Sequence, residues 1–213
     1  MNRILMLALT VSAASANVID INASERGRVC NLPCTGNNNG ADPNNNYFSG
    51  FTVGSGFQIR NWFEFSIPTL TGGTLVSATL QLDEPPSGHL GGMLTFAVYG
   101  LSAQPLIFTD VSTSSPFGSV GTTNASSGTT LAITLNPAAI VAITSHQMNN
   151  IFLGGIDTGE NSSTGDFAAS GFPAFKTVLS LTTAPASVPE PSSLSLLAIA
   201  GATMAWRKRR SRQ

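Results

Sequence analysis

The stretch "NWFEFSIPTLTGGTLVSATLQL", residues 61–82, decides the fold class. Its apolar side chains recur at every second position, a period that puts them on one face of a strand and scatters them around a helix. Phe63, Phe65 and Ile67 share one face, with Trp62, Glu64 and Ser66 on the other. Val76, Ala78, Leu80 and Leu82 then alternate with Ser77, Thr79 and Gln81, the cleanest half-buried strand pattern in the chain. Between the halves, "TLTGGT" supplies a Gly-Gly turn, and its length also allows a connection longer than a tight hairpin.

The same alternation continues outward. "LTFAVYGL" turns Leu94, Phe96 and Val98 inward, and "TLAITL" does so with Leu131, Ile133 and Leu135. "NIFLGGI" and "FKTVLSLTT" read as the last two strands, the second with Phe175, Thr177, Leu179 and Leu181 on one face. One short helix is expected where Asn136 can cap, Pro137 suits the first helical position, and Ile140 and Ile143 fall three apart. "TGNNNGADPNNN", residues 35–46, is turn and loop chemistry. Short strands between Gly, Ser and Pro turns, with one brief helix, predict an all-β body over residues 17–183: an antiparallel β-sandwich, jelly-roll-like.

The two ends are built differently. Arg3, the apolar run from Ile4 to Val11, and Ala14-Ser15-Ala16 have the layout of a signal peptide over residues 1–16, with cleavage leaving Asn17 first. A buried first element of the body is the alternative. At the other end "APASVPEP", residues 184–191, is a Pro-spaced linker that resists folding. Residues 192–213 follow as a transmembrane segment with a basic tail. Leu194 to Trp206 is apolar or small throughout. At about 1.5 Å per residue it covers roughly 20 Å of a hydrocarbon layer about 30 Å thick, and interfacial residues at either end narrow the gap. A surface helix is excluded because the run has no polar face. Arg207, Lys208, Arg209 and Arg210 then stay on the cytoplasmic side and leave the body outside.

Charge follows the same division. Residues 17–187 carry four basic and ten acidic side chains, a net −6, against −1 for the whole chain. An acidic body repels phosphate backbones, which argues against nucleic acid as a partner. Cys30 and Cys34, the chain's two cysteines, read as a small disulfide loop in an exported setting; free thiols and a metal site are the alternatives.

Candidate chemistry in the body is sparse. His89 and His146 are the two histidines, and no G-x-S-x-G elbow is present, so both read as structural. Glu64, Asp83 and Glu84 are the carboxylates from which a glycosidase pair could be drawn, although adjacent acids at a strand end more often mark a solvated turn. Asp157, Glu160, Asn161 and Asp166 concentrate oxygen ligands in "DTGENSSTGD". A solvated acidic loop is the default there, and calcium is the one cofactor it suggests. Trp62, on the face opposite Phe63 and Phe65, is a candidate sugar contact.

Pro189-Glu190-Pro191, the short apolar run and the terminal Arg cluster, in that order, resemble the PEP-CTERM sorting signal of Gram-negative bacteria. The resemblance covers residues 188–210. It implies that a membrane protease-transpeptidase, exosortase, recognises and processes the tail, with Pro189, Glu190 and Pro191 as recognition elements. "RNWFEFSIPTLTGGTLVSATLQL" is similar to a strand-turn-strand pattern of exported β-sandwich and carbohydrate-binding-like domains, and "TLAITLNPAAIVAI" with "FLGGI" resembles a segment of uncharacterised PEP-CTERM proteins. The function expected is that of an exported, non-catalytic protein, anchored in the inner membrane before processing and destined for the cell envelope or its extracellular polysaccharide. A glycan-binding module is the first alternative, and a hydrolase with an unrecognised site the second.

Overall fold

The two halves of residues 61–82 form long strands that lie in different sheets. The computed structural model describes residues 16–31, 47–52, 57–70, 73–86, 92–111, 115–158, 167–171 and 175–185. In chain order the strands are β1 (Asn17–Asn22), β2 (Glu25–Cys30), β3 (Tyr47–Thr52), β4 (Phe57–Ser66), β5 (Gly73–Asp83), β6 (Leu94–Leu101), β7 (Gly118–Thr122) and β8 (Thr130–Thr134). A helix, α1 (Pro137–Ser145), then precedes β9 (Asn150–Thr158), β10 (Phe167–Gly171) and β11 (Thr177–Pro185). Every strand pair is antiparallel. One sheet runs β1-β11-β5-β8, the other β10-β3-β4-β9-β6-β7, with β2 also paired to β4. Because β4 and β5 belong to different sheets, the Gly-Gly segment between them carries the chain from one sheet to the other and closes no hairpin.

The inward residues of both sheets meet in one apolar cluster. Phe63, Phe65, Phe96, Val98 and Leu153 come from the larger sheet, and Leu80, Leu82, Ile133, Leu179 and Leu181 from the smaller. The Tyr47 ring packs edge-on against Phe63, with centroids 5.4 Å apart. Each large apolar side chain buried this way stabilises the fold by about 1.5–3 kcal/mol. Helix α1 closes one end of the cluster with Ala139 and Ile143. Its start is the one expected: the Asn136 side chain accepts from the Ala139 amide at 3.1 Å, and Pro137 occupies the first turn.

One expected inward residue points outward. Thr182 stands opposite Ser77 while Thr183 stands opposite Leu75, so Val76 is the extra residue of a β-bulge. The bulge moves the alternation by one position: Leu75 is buried and Val76 is exposed.

A second apolar layer covers the outer face of the larger sheet. Val29, Ala97, Tyr99, Val111 and Ile156 form a small cluster there, with Leu101 packed against it. Val111 belongs to the connection between β6 and β7, which folds back over the sheet. Arg60 holds it in place. The guanidinium donates to the Val111 carbonyl at 2.6 Å and the Phe108 carbonyl at 3.3 Å, and its carbon stands 3.8 Å from the centre of the Phe108 ring.

Candidate functional site

Ionisable and polar side chains gather at the end of the sheets where β5 finishes and β11 begins. Arg26 on β2 is buried between the sheets and donates to the Phe175 carbonyl and, at 2.8 Å, to the Thr177 hydroxyl. Its guanidinium lies 5.0 Å from the centre of the Tyr47 ring. The Tyr47 hydroxyl donates to the Asp83 carbonyl. Burial pulls the Arg26 guanidinium below its usual range, and the neighbouring Tyr47 and Asp83 oppose that pull. Burial also pushes the Tyr47 phenol well up, so it stays a neutral donor. Asp83 accepts from Thr130 at 2.8 Å, and Glu84 is buried beside it in the chain. The arrangement ties β2, β3, β5 and β11 together through a buried cation and a buried phenol. Sequence reading passed over Arg26 and Tyr47, because one arginine in a short polar stretch and one tyrosine after an Asn-rich loop carry no periodic signal.

Glu64 is in a different setting. It stands opposite Glu25 across the β2–β4 pair, accepts from the Asn150 amide, and is buried. Burial first, and then Glu25, raises its carboxyl above the ordinary range, against the hydrogen bond from Asn150. Glu64 thus lies apart from Asp83 and Glu84, which are neighbours in the chain and both act on Tyr47. A raised native value means that the folded state holds the Glu64 proton more tightly than the unfolded chain does. The stabilisation linked to that proton is fully present below the unfolded value and is lost as pH rises through the raised one. Glu64→Gln keeps an acceptor for Asn150 and removes the cross-strand repulsion. It is expected to stabilise the body by about 0.5–1 kcal/mol at pH 7 and to flatten the pH dependence in the mildly acidic range, as read by thermal melts from pH 4 to 8.

Trp62 requires a correction. It is 0 % exposed and so does not offer its ring to a sugar at the surface. Gly27 and Gly154 stand directly opposite it on the two flanking strands, which leaves room for the indole against the sheet. A Cβ at Gly154 would come within 2.6 Å of Val111, so the β6–β7 connection presses on the sheet at this point. The alternation placed Trp62 on the correct face, but that face has a cover of its own.

His146 follows α1, where its Nδ1 donates to the Ala142 carbonyl at 2.7 Å. That is a contact at the end of the helix. His89 lies outside the described residues. Cys30, the last residue of β2, is disulfide-bonded; Cys34 lies outside the described residues. Asp157 is buried on β9 opposite Phe96, while Glu160, Asn161 and Asp166 of the candidate calcium loop lie outside the described residues. Ala16 is exposed just before β1; Ala14 and the rest of the expected signal peptide lie outside them.

The other candidate site follows β11 in the chain. Pro189, Glu190, Pro191 and the basic cluster Arg207, Lys208, Arg209 and Arg210 lie outside the described residues, so their assignment rests on sequence. Among the described residues, no helix is long and apolar enough to cross a membrane. The tail itself matches the PEP-CTERM protein-sorting motif over residues 187–210. A sorting motif of this kind implies an exported, membrane-anchored precursor processed by exosortase. No curated protein matches the chain.

Proposed function

We propose that this chain is a non-catalytic protein of the cell envelope or its extracellular polysaccharide, with a body wound as a jelly-roll sandwich. The observation that carries the delivery half of this reading is the matched sorting motif beginning two residues after β11 ends. The winding is supported by strand order. Without β2, β3 and β10, the chain passes between β1-β11-β5-β8 and β4-β9-β6-β7 at every step except the β6–β7 hairpin, the interleaving of two Greek keys around one core. The non-catalytic half is supported by the positions of the groups best suited to chemistry. His146 ends a helix, Glu64 is engaged by Asn150, and Arg26 ties strands together. Fractionation of the native host tests the reading. The full-length protein is expected in the envelope or matrix fraction, and a chain truncated after Pro185 in the soluble periplasmic or secreted fraction. Identical distributions would count against it.

One observation favours a glycan-binding reading. The outer face of the smaller sheet carries a cross-strand row of Thr134, Thr79, Ser180 and Asp20. Gln81 donates to the Ser180 hydroxyl at 3.0 Å, and Ser180 donates to Asp20 at 2.6 Å. This hydroxyl-bearing face takes the place of Trp62 as the surface on which sugar binding is to be sought.

A further inference from the structure

The strand registers define two ends of the body that differ in charge. At one end lie the start of β1, the end of β11, the start of β5, the end of β4, the start of β9, and α1, which joins β8 to β9. Residues 17–19, 66–70, 73–77, 134–151 and 181–185 make up most of this end and contain no Asp, Glu, Lys or Arg; His146 is their one titratable side chain. Asp20, the Glu25–Glu64 pair and Asp110 of the β6–β7 connection, which leaves β6 at Leu101 opposite Phe152, stand on its flanks. The opposite end carries charges of both signs: Asp83, Glu84, Asp157, Lys176 and the Arg26 guanidinium. Four of the seven exposed large apolar side chains of the described residues gather at this end; Met93 stands at the opposite end, and Leu106 and Ile107 on the β6–β7 connection. Val18, Val76, Val141 and Met148, between 54 % and 78 % exposed, all belong to the charge-free end. Isolated exposed valines are ordinary; four on one uncharged end of an acidic body are a pattern.

The tail emerges from that end. β11 finishes at Pro185, and the apolar run begins at Leu194. Nine Cα steps, fully extended, span at most about 32 Å, and the four to Pro189 at most about 14 Å. A tether of this reach keeps the folded body near the bilayer. It is shorter than the roughly 36 Å of the eleven-residue β5, so turning the opposite end to the lipid would stretch it along the whole body. We infer that in the anchored precursor the charge-free end, around Val18, Val76, Val141 and Met148, lies against the lipid bilayer. The inference rests on the tail being the membrane anchor. Physically, an anionic leaflet repels an acidic surface and tolerates an uncharged one, and apolar side chains gain by entering the headgroup boundary. The charged end then faces away from the membrane, and the Pro-Glu-Pro triplet is held close to the plane in which a membrane enzyme works.

The test uses the full-length precursor reconstituted into vesicles of mixed phosphatidylcholine and phosphatidylglycerol. An environment-sensitive fluorophore is placed on single cysteine substitutions at Val76, Val141, Thr129 or Ala202, and the quencher is a lipid spin-labelled at the headgroup. Labels at 76 and 141 are expected to be quenched at least about threefold more than the label at 129, which lies at the opposite end, as for groups seated in the headgroup boundary. Val141→Glu should bring quenching at 76 down to the level at 129. Equal quenching at 76, 141 and 129, with 202 strongly quenched, would show that the tail is inserted and the body has no preferred face, and would overturn the inference. Quenching at 141 that arises only after a purified processing enzyme is added would make this end a protein-docking surface, which also overturns it. An unquenched label at 202 would instead remove the anchor reading, and this inference with it.

Discussion

Trp62→Ala is expected to cost about 3–5 kcal/mol, a large share of the roughly 5–15 kcal/mol that holds a domain of this kind folded. The indole is wholly buried on the outer face of the larger sheet, opposite two glycines. Neither glycine has a side chain that could fill the space. Collapse of the β6–β7 connection is resisted because Arg60 fixes it at the Phe108 and Val111 carbonyls. Removal of the indole therefore leaves a cavity as well as losing its transfer free energy. Urea denaturation of the body should show a much lower midpoint with an unchanged slope. A midpoint shift corresponding to less than about 0.5 kcal/mol, the range of an ordinary surface substitution, would mean that Trp62 is exposed in solution and would return it to the list of sugar contacts.

The contrast between Trp62 and Val76 shows what was legible in the sequence. Strands whose faces divide cleanly were readable: β8 and β11 follow their alternation, the inward residues of β4 and β6 were legible although their outer faces are buried as well, and α1 starts at its Asn-Pro cap. A bulge is invisible to alternation because it changes register against a partner that the sequence does not name, and Val76 moved outward for that reason. Trp62 failed differently. Its face was correct, but the cover over that face is an irregular segment without period. β2 and β7, "ERGRVC" and "GSVGT", have too few apolar residues for a pattern, and their place comes from the neighbours they pair with. Arg26 and Tyr47 became a buried pair only when two distant strands met. The tail was the reverse case. Its three unlike parts follow one another in the chain, so no folding was needed to read it.

Replacing Pro189, Glu190 and Pro191 together with alanine is expected to abolish processing and leave a membrane-associated precursor, the larger of the two effects. Proline fixes its own φ and disfavours helix in the residue before it, so the triplet keeps the chain extended just outside the apolar run. Alanine removes both constraints, and the helix of the apolar run can then grow toward β11. Extending the apolar run instead should strengthen anchorage and leave recognition intact, because the two properties reside in different residues. The body should fold equally well in both variants, since β11 ends before the triplet.

The central claim is that the tail is a sorting signal removed during export. Mass spectrometry of the C-terminal peptide of mature protein, purified from a native host with an active exosortase, tests it most directly. The account predicts a terminus upstream of Leu194, with the apolar run and the Arg207 to Arg210 cluster gone. A mature protein whose last peptide still contains Trp206 and that cluster would contradict it.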